Sequence, residues 1–461
     1  MSTKLILYVK ILLKLYFNAG NYLIFKERVI KKRKCGGIMN KEKKQIYSWA
    51  LYDWANSAFA TTILSAVLPI FYKDVAAVNL PNNLATSYWG YTQTGAMIVI
   101  AVLSPILGAI ADHSDSKKFF LRVFAYLGII GTGLLFFINE GNYILASLFF
   151  IIANIGFSGG NVFYDGFLPD ITDNTKIDYV SSLGYSAGYL GGGILLAINL
   201  LMISKPSLFG INGTLMATKL SFVTVSIWWF LFSIPTFKYL PDPEKRKEIL
   251  EVKKYASIGF NRVKNTLANI REYRELWKFL IAFWLFNDGI GTIIRMATIY
   301  GREVGIGQSD LIGALLLTQF IGIPCALIFG KIGEKIGAKK GIYIALIVYT
   351  LITINGYFLD SALDFWILAG MVGLVQGGAQ ALSRSLYGSM VPRNKTAEFF
   401  GFYGISSKFA AIVGPTVFAY MGQLTGSSRY GIISVAGFFI LGMIVLTTVD
   451  VEKGRKEAKN S

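Results

Sequence analysis

The chain has 461 residues, of which 54% are hydrophobic and 16% charged, and a formal net charge of +18. A mean hydropathy of +0.51, with charged residues well below the roughly 25% of soluble domains, excludes an ordinary water-soluble protein and implies an integral membrane protein. The basic residues cluster between apolar segments, where the positive-inside rule expects them, so the charge does not point to nucleic acid. Cys35 and Cys325 form no CxxC or CxxH pattern, and no disulfide framework, metal site or cofactor is expected.

Residues 1–44 form a basic extension. Lys10, Lys14 and Asn18 recur every four residues and give 5–25 one polar stripe, which suits an interfacial helix better than a span. The run Lys31-Lys32-Arg33-Lys34 suits a cytoplasmic membrane surface. A second reading is equally open, in which translation starts at Met39 and the residues before it are a gene-calling artefact.

From Ser48 the chain alternates apolar runs of about 20 residues, long enough to cross the hydrocarbon as helices, with short polar links. About twelve spans are expected, near 48–74, 86–111, 119–139, 142–167, 179–203, 217–237, 275–301, 309–331, 341–358, 364–390, 398–421 and 430–449. Connections after even-numbered spans carry Lys117 and Lys118, Lys238 and Lys245 to Lys254, Lys339 and Lys340, and Arg393 with Lys395. These connections and both termini are therefore expected in the cytoplasm. The basic link 238–274, punctuated by Pro241 and Pro243, separates two expected six-helix bundles, 45–237 and 275–450, and 451–461 is a cytoplasmic tail. An amphipathic run around Ile258 to Ile270 is expected on the membrane surface.

Polar residues inside apolar spans are expensive and mark functional interiors. The first span contains Asp53, Asn56, Ser57 and Thr61, and the fourth Asn154, Ser158, Asn161 and Asp165. The seventh has Asp288, Thr292 and Arg295, and the tenth Gln376, Gln380 and Arg384. Each set has helical spacing and falls on one face. The third, sixth and twelfth spans carry no charge beyond their first turn, where Arg122 and Lys219 lie, so the pattern has a three-span period, as expected if one helix per three-helix repeat lines a central cavity.

Asn56, Asn161, Asp288, Arg295, Gln376, Gln380 and Arg384 are the candidate substrate contacts. Asp53, Asp165, Asp288 and Lys408 are the candidates for coupling or gating. Asp53 or Asp165 is expected to pair across the halves with Arg384 or Lys408 and to part during transport; an alternative places Lys408 against Asp112. Asp288 and then Asp53 are the candidates if a proton is coupled, and sodium is the other ion considered. Tyr52 and Trp54 read as packing or interfacial anchors. Small residues repeat every four positions at Gly184, Gly188 and Gly192, at Gly322, Ala326 and Gly330, and at Ser406, Ala410 and Gly414, a spacing that lets helices approach closely in a bilayer.

The second span ends in Gly108-Ala109-Ile110-Ala111-Asp112-His113-Ser114-Asp115-Ser116-Lys117-Lys118, and the eighth in Gly330-Lys331-Ile332-Gly333-Glu334-Lys335-Ile336-Gly337-Ala338-Lys339-Lys340. A glycine, an acid four positions on and a basic pair recur once per half, which resembles the loop motif of the major facilitator superfamily. The first copy has Ser-Asp where the later glycine is usual. Tyr52-Asp53-Trp54-Ala55-Asn56-Ser57-Ala58, Phe286-Asn287-Asp288-Gly289, Phe167-Leu168-Pro169 and Gln376-Gly377-Gly378-Ala379-Gln380-Ala381-Leu382-Ser383-Arg384 resemble the vacuole-effluxer branch of that superfamily, named for fungal vacuolar proteins associated with amino-acid efflux. The resemblance covers most of 45–450. It implies an all-α polytopic fold, first, fourth, seventh and tenth helices lining a cavity, and fifth, eighth and eleventh helices packed across the interface between halves.

The expected function is therefore secondary transport of a small polar solute, such as an amino acid or similar zwitterion, by a monomer in the cell membrane, with lipids as its other partners. No GxxxxGK[ST] or HExxH pattern is present, and an enzyme is not expected. The competing readings are a substrate-sensing membrane receptor without flux and a lipid-handling membrane protein.

Overall fold

A computed structural model of the chain describes residues 41–80, 82–241, 260–261, 263–266, 270–409, 413–425 and 427–459. The polar stripe of 5–25, the candidate start at Met39 and most of the amphipathic run in the central link lie outside the described residues.

Every regular element among the described residues is helical. Backbone in hydrocarbon must satisfy its own N–H and C=O groups, and a helix does so within one segment. In chain order, α1 is Lys41–Ala76, α2 Asn82–His113, α3 Lys117–Leu134, α4 Tyr143–Gly166, α5 Ile177–Ser204 and α6 Thr214–Tyr239. After the link come α7 Arg274–Glu303, α8 Gln308–Ile336, α9 Ala338–Tyr357 and α10 Ala362–Ser389. The last are α11 Thr396–Phe409, α12 Val413–Thr425, α13 Ser428–Thr447 and α14 Val451–Lys459.

Ten of the described helices are long and apolar enough to cross a membrane. The second expected span falls on α2, whose apolar stretch is the shorter Ile98–His113, and the eleventh on α11 and α12, which flank residues 410–412 outside the described set. Ile144 is 70% and Leu363 68% exposed, an outward apolar surface that suits lipid rather than water.

Local chemistry sets several boundaries. α10 begins at a capping box: the Asp364 N–H donates to Ser361 Oγ at 3.2 Å, and the Asp364 carboxylate accepts from the Ser361 N–H at 3.0 Å. α8 ends at Gly337, whose φ of 90° and ψ of 141° suit glycine. α1 widens to a π-helix over Phe59–Val67. The Thr61 hydroxyl there donates back to the Ser57 carbonyl at 3.1 Å and across to Gly192 of α5 at 3.2 Å, bending the ladder.

Two hydrophobic cores form. One is built around Trp49, Tyr52, Phe59, Phe150, Phe163 and Trp229, and the other around Phe279, Phe283, Tyr349, Tyr387, Phe399 and Phe439. Ala397, at the start of α11, belongs to the first core and reaches across the seam. The seam is made chiefly by α5 against α8 and α10, and by α11 against α2 and α4.

The structure changes three details of the sequence reading. α1 runs back through 41–44, assigned above to the extension, because Ile46 and Trp49 join the first core. Residues 451–459 of the tail form a helix: the Glu275 carboxylate accepts the Asp450 N–H at 2.8 Å, and Gly454 lies against Met390. Gly188 and Gly192 face Asp53 and Ser57 of α1 within the first half, while Gly184 faces Trp49 of α1 and also Arg384 of the second half. Across the seam, α5 instead meets α8 through Ser182 against Gly330 and Tyr189 against Gly322.

Candidate functional site

The centre of the seam is Arg384. It lies near the end of α10, is 2% exposed, and is held by groups of the first half. Its Nη1 donates to Asp165 of α4 at 3.0 Å and lies 3.7 Å from the Asp53 carboxylate of α1. Its Nε donates to Ser181 Oγ at 2.9 Å and its Nη2 to the Ser181 carbonyl at 2.7 Å. The guanidinium carbon is 4.9 Å from the Trp49 ring centre, 5.5 Å from Tyr164 and 4.3 Å from Tyr185, within cation–π range. A buried charge of this kind requires partners, and each nitrogen has one.

The walls are braced without Arg384. Trp49 stacks on Tyr164 at 4.4 Å and donates its Nε1 hydrogen to the Tyr164 carbonyl at 2.8 Å. Asp53 accepts from the Tyr164 hydroxyl and from Ser57 Oγ, each at 3.2 Å. Sequence reasoning passes over Trp49, Tyr164 and Tyr185, since aromatic residues in apolar spans ordinarily pack.

Deeper along the same helices, Asn56 Nδ2 donates to Asn161 Oδ1 at 2.6 Å, so these two candidate substrate contacts join α1 to α4. Tyr189 of α5 donates to Gln380 at 3.5 Å, bringing α10 toward the first half. Gln376 is half-buried one turn away. Asp288 is 2% exposed and both its oxygens accept the Gly414 N–H, each at 2.9 Å, which ties α7 to α12. Arg295, two turns on from Asp288, is exposed. The side chain of Lys408 lies outside the described residues, as does Ala410.

The first loop motif also crosses the seam. Asp112 accepts the N–H groups of Ala397 at 3.2 Å and Glu398 at 2.9 Å, capping the start of α11. These bonds join Asp112 to the backbone of α11, while its alternative contact with Lys408 falls outside the described residues. Gly108 lets α2 approach, since a Cβ there would lie 2.3 Å from the Ala397 carbonyl oxygen. Lys117 bonds Asp170 and donates to Thr396 Oγ1 at 2.7 Å, and Lys118 donates to the Leu240 carbonyl at 2.9 Å. In the second motif, Lys339 donates to the Val449 carbonyl at 2.7 Å inside its own half. Gly330 and Gly333 face Ser182 and Asp178 of α5, and Glu334 and Lys340 complete that motif on α8 and α9. Among the described residues, no group of three or more His, Cys, Asp or Glu side chains could hold a metal ion.

The chain resembles known transporters over most of its length. It is 40% identical to the MFS-type transporter YxiO of Bacillus subtilis over 90% of this chain and 97% of the relative. It is 23% identical to autophagy-related protein 22-1 of Aspergillus niger over 90% of each chain. In fold it is similar to the human organic anion transporter MFSD10, with a TM-score of 0.64 and 13% identity over 88% of this chain and 100% of that one. It is likewise similar to the proton:xylose symporter XylE, with a TM-score of 0.64 and 13% identity over 91% and 98%. The family described as vacuole effluxer Atg22 like matches residues 83–459. The chain is thus a multi-pass membrane protein that belongs to the Atg22-like vacuole-effluxer family, a branch of the major facilitator superfamily of transporters.

Proposed function

We propose that the chain is a secondary active transporter that moves an amino acid or similar zwitterion across the cell membrane by alternating access. The observation that carries this reading is Arg384 of the second half held by Asp53 and Asp165 of the first. A buried ion pair adds little net stability against its hydrophobic equivalent, because desolvation offsets the attraction. Its use as a contact that forms in one state and breaks in another accounts for its presence. Arg384 thereby moves from substrate contact to gate, with Asp53 and Asp165.

The named seam contacts gather toward the end where α1 begins and α10 finishes, and the furthest along α5 is Tyr189. We assign that end to the cytoplasm from the basic connections, place both termini there, and read the state as outward-facing. Counting α2 and the α11–α12 pair as spans gives about twelve, in two six-helix bundles, 45–237 and 275–450, acting as a monomer surrounded by lipid. Asn56, Asn161, Gln376, Gln380 and Arg295 supply hydrogen bonds and one charge for the solute. Asp288 and then Asp53 are the carboxylates assigned to a coupled proton, with sodium as the alternative ion, and Lys408 stays in the coupling group on charge balance.

The test is counterflow by the purified full chain in vesicles preloaded with unlabelled amino acids. Accumulation of labelled amino acid is expected. Binding without counterflow would support the receptor reading, and movement of labelled lipid with neither would support the lipid-handling one.

A further inference from the structure

The Arg384 guanidinium is the part of the ion-pair site that the second half supplies. The partners named around it all come from the first half: the Asp53 and Asp165 carboxylates, the Ser181 hydroxyl and carbonyl, and the faces of Trp49, Tyr164 and Tyr185. Gly184 leaves the room it occupies, since a Cβ there would lie 2.8 Å from the Trp49 ring and the Tyr164 hydroxyl and 2.9 Å from Arg384 Nη2. The Trp49–Tyr164 stack and the Tyr164–Asp53 hydrogen bond brace the walls with first-half atoms alone. The first half therefore holds a shaped receptor for a planar organic cation, and Arg384 fills it as an internal ligand.

We propose that when the halves part at this end and Arg384 withdraws, the same receptor binds a guanidinium-bearing solute from the adjoining water, in competition with Arg384. Directional acceptors for three nitrogens between aromatic faces fit a guanidinium fork better than a compact ammonium, and leave an alkali ion or a tetraalkylammonium without matched partners. The inference rests on the alternating-access reading only in requiring the halves to part; it needs no flux. Apparent affinity in the native chain is weakened by the fraction of molecules in which Arg384 has withdrawn. Removing Arg384 should therefore tighten binding, whereas an Arg384 that gripped the solute would weaken it on removal.

The experiment is equilibrium binding of methylguanidinium to the purified full chain, with sodium chloride and tetramethylammonium chloride as controls. Arg384→Ala is expected to bind methylguanidinium at least about tenfold more tightly than the native chain, and Asp165→Asn added to it to remove the binding. Equal or weaker binding by a monodisperse Arg384→Ala protein would overturn the proposal.

Should Arg384→Ala fail to fold, Thr396→Cys at the seam, with Cys35 and Cys325 replaced by Ser, gives a second measurement. Methylguanidinium is expected to speed maleimide labelling of that cysteine severalfold, and sodium and tetramethylammonium to leave it unchanged. No acceleration, or equal acceleration by all three cations, would overturn it. Lost counterflow with intact binding sinks the transport reading alone, and lost binding with intact counterflow sinks this one alone.

Discussion

The two loop motifs share a glycine, an acid and a basic pair, but they do different work. In the first, Asp112 reaches across the seam to the start of α11, and Lys117 follows it to Thr396. In the second, Lys339 ties α9 to the carbonyls of Thr447 and Val449 in its own half. The acid and first lysine of the first copy clasp the two halves, whereas in the second copy the matching lysine braces its own half and the seam is met by Gly330 and Gly333 against α5. A duplicated motif thus need not carry a duplicated role: Asp112 caps the start of α11, whereas Glu334 sits on the exposed surface of α8.

The sharpest break of this asymmetry is Gly108→Ala. Its new methyl would lie 2.3 Å from the Ala397 carbonyl oxygen, which is backbone and cannot swing aside. Overpacking of this kind costs about 1–3 kcal/mol, here charged to the closed seam, so maleimide labelling of Thr396→Cys should rise and counterflow should fall. On the second copy the corresponding large effect is local. Gly337→Ala forces a side chain onto φ 90°, ψ 141°, in a region nearly closed to other residues, at about 1–3 kcal/mol. Its melting temperature should fall while seam labelling stays near the native rate.

The acids give a smaller contrast. Asp112→Asn keeps the side-chain shape but removes the charge and one of its acceptors at the α11 start, a loss of about 1 kcal/mol, and should raise seam labelling modestly. Glu334→Gln, on the exposed surface of α8, should change stability by within about 0.5 kcal/mol. Equal seam labelling in the two variants would remove the distinction between clasp and brace.

Much of the architecture is legible in the sequence because hydrocarbon imposes strict rules. Length, hydropathy and basic connections mark the helices, and helical spacing puts Asp165 and Arg384 on inward faces without any partner in view. The seam is less legible. That Arg384 chooses Asp165 and Asp53 depends on how α10 meets α4 and α1, which no local pattern encodes. Trp49, Tyr164 and Tyr185 carry no periodic signal distinct from packing, so the aromatic walls escape a sequence reading. Gly184 stands out by its spacing, yet its use, leaving space for a guanidinium, depends on Arg384 in the other half of the chain. Asn56 and Asn161 read as solute contacts, and the structure adds that they also bond each other.

The smallest expected effect concerns the position where the first motif departs from its usual form. Asp115 replaces the glycine equivalent to Gly337 and still takes a positive φ, 51°. Aspartate tolerates that left-handed conformation better than most residues, although it retains a penalty of roughly 1 kcal/mol. Asp115→Gly removes that penalty but gives the unfolded chain more freedom, a loss of roughly 0.5–1 kcal/mol. The two nearly cancel, so the melting temperature and seam labelling should both stay close to native. Asp115→Val, whose branched side chain resists positive φ, should lower the melting temperature. A clear gain from Asp115→Gly would mean that the missing glycine limits the first clasp, and that the asymmetry between copies begins in the loop backbone rather than in what Asp112 touches.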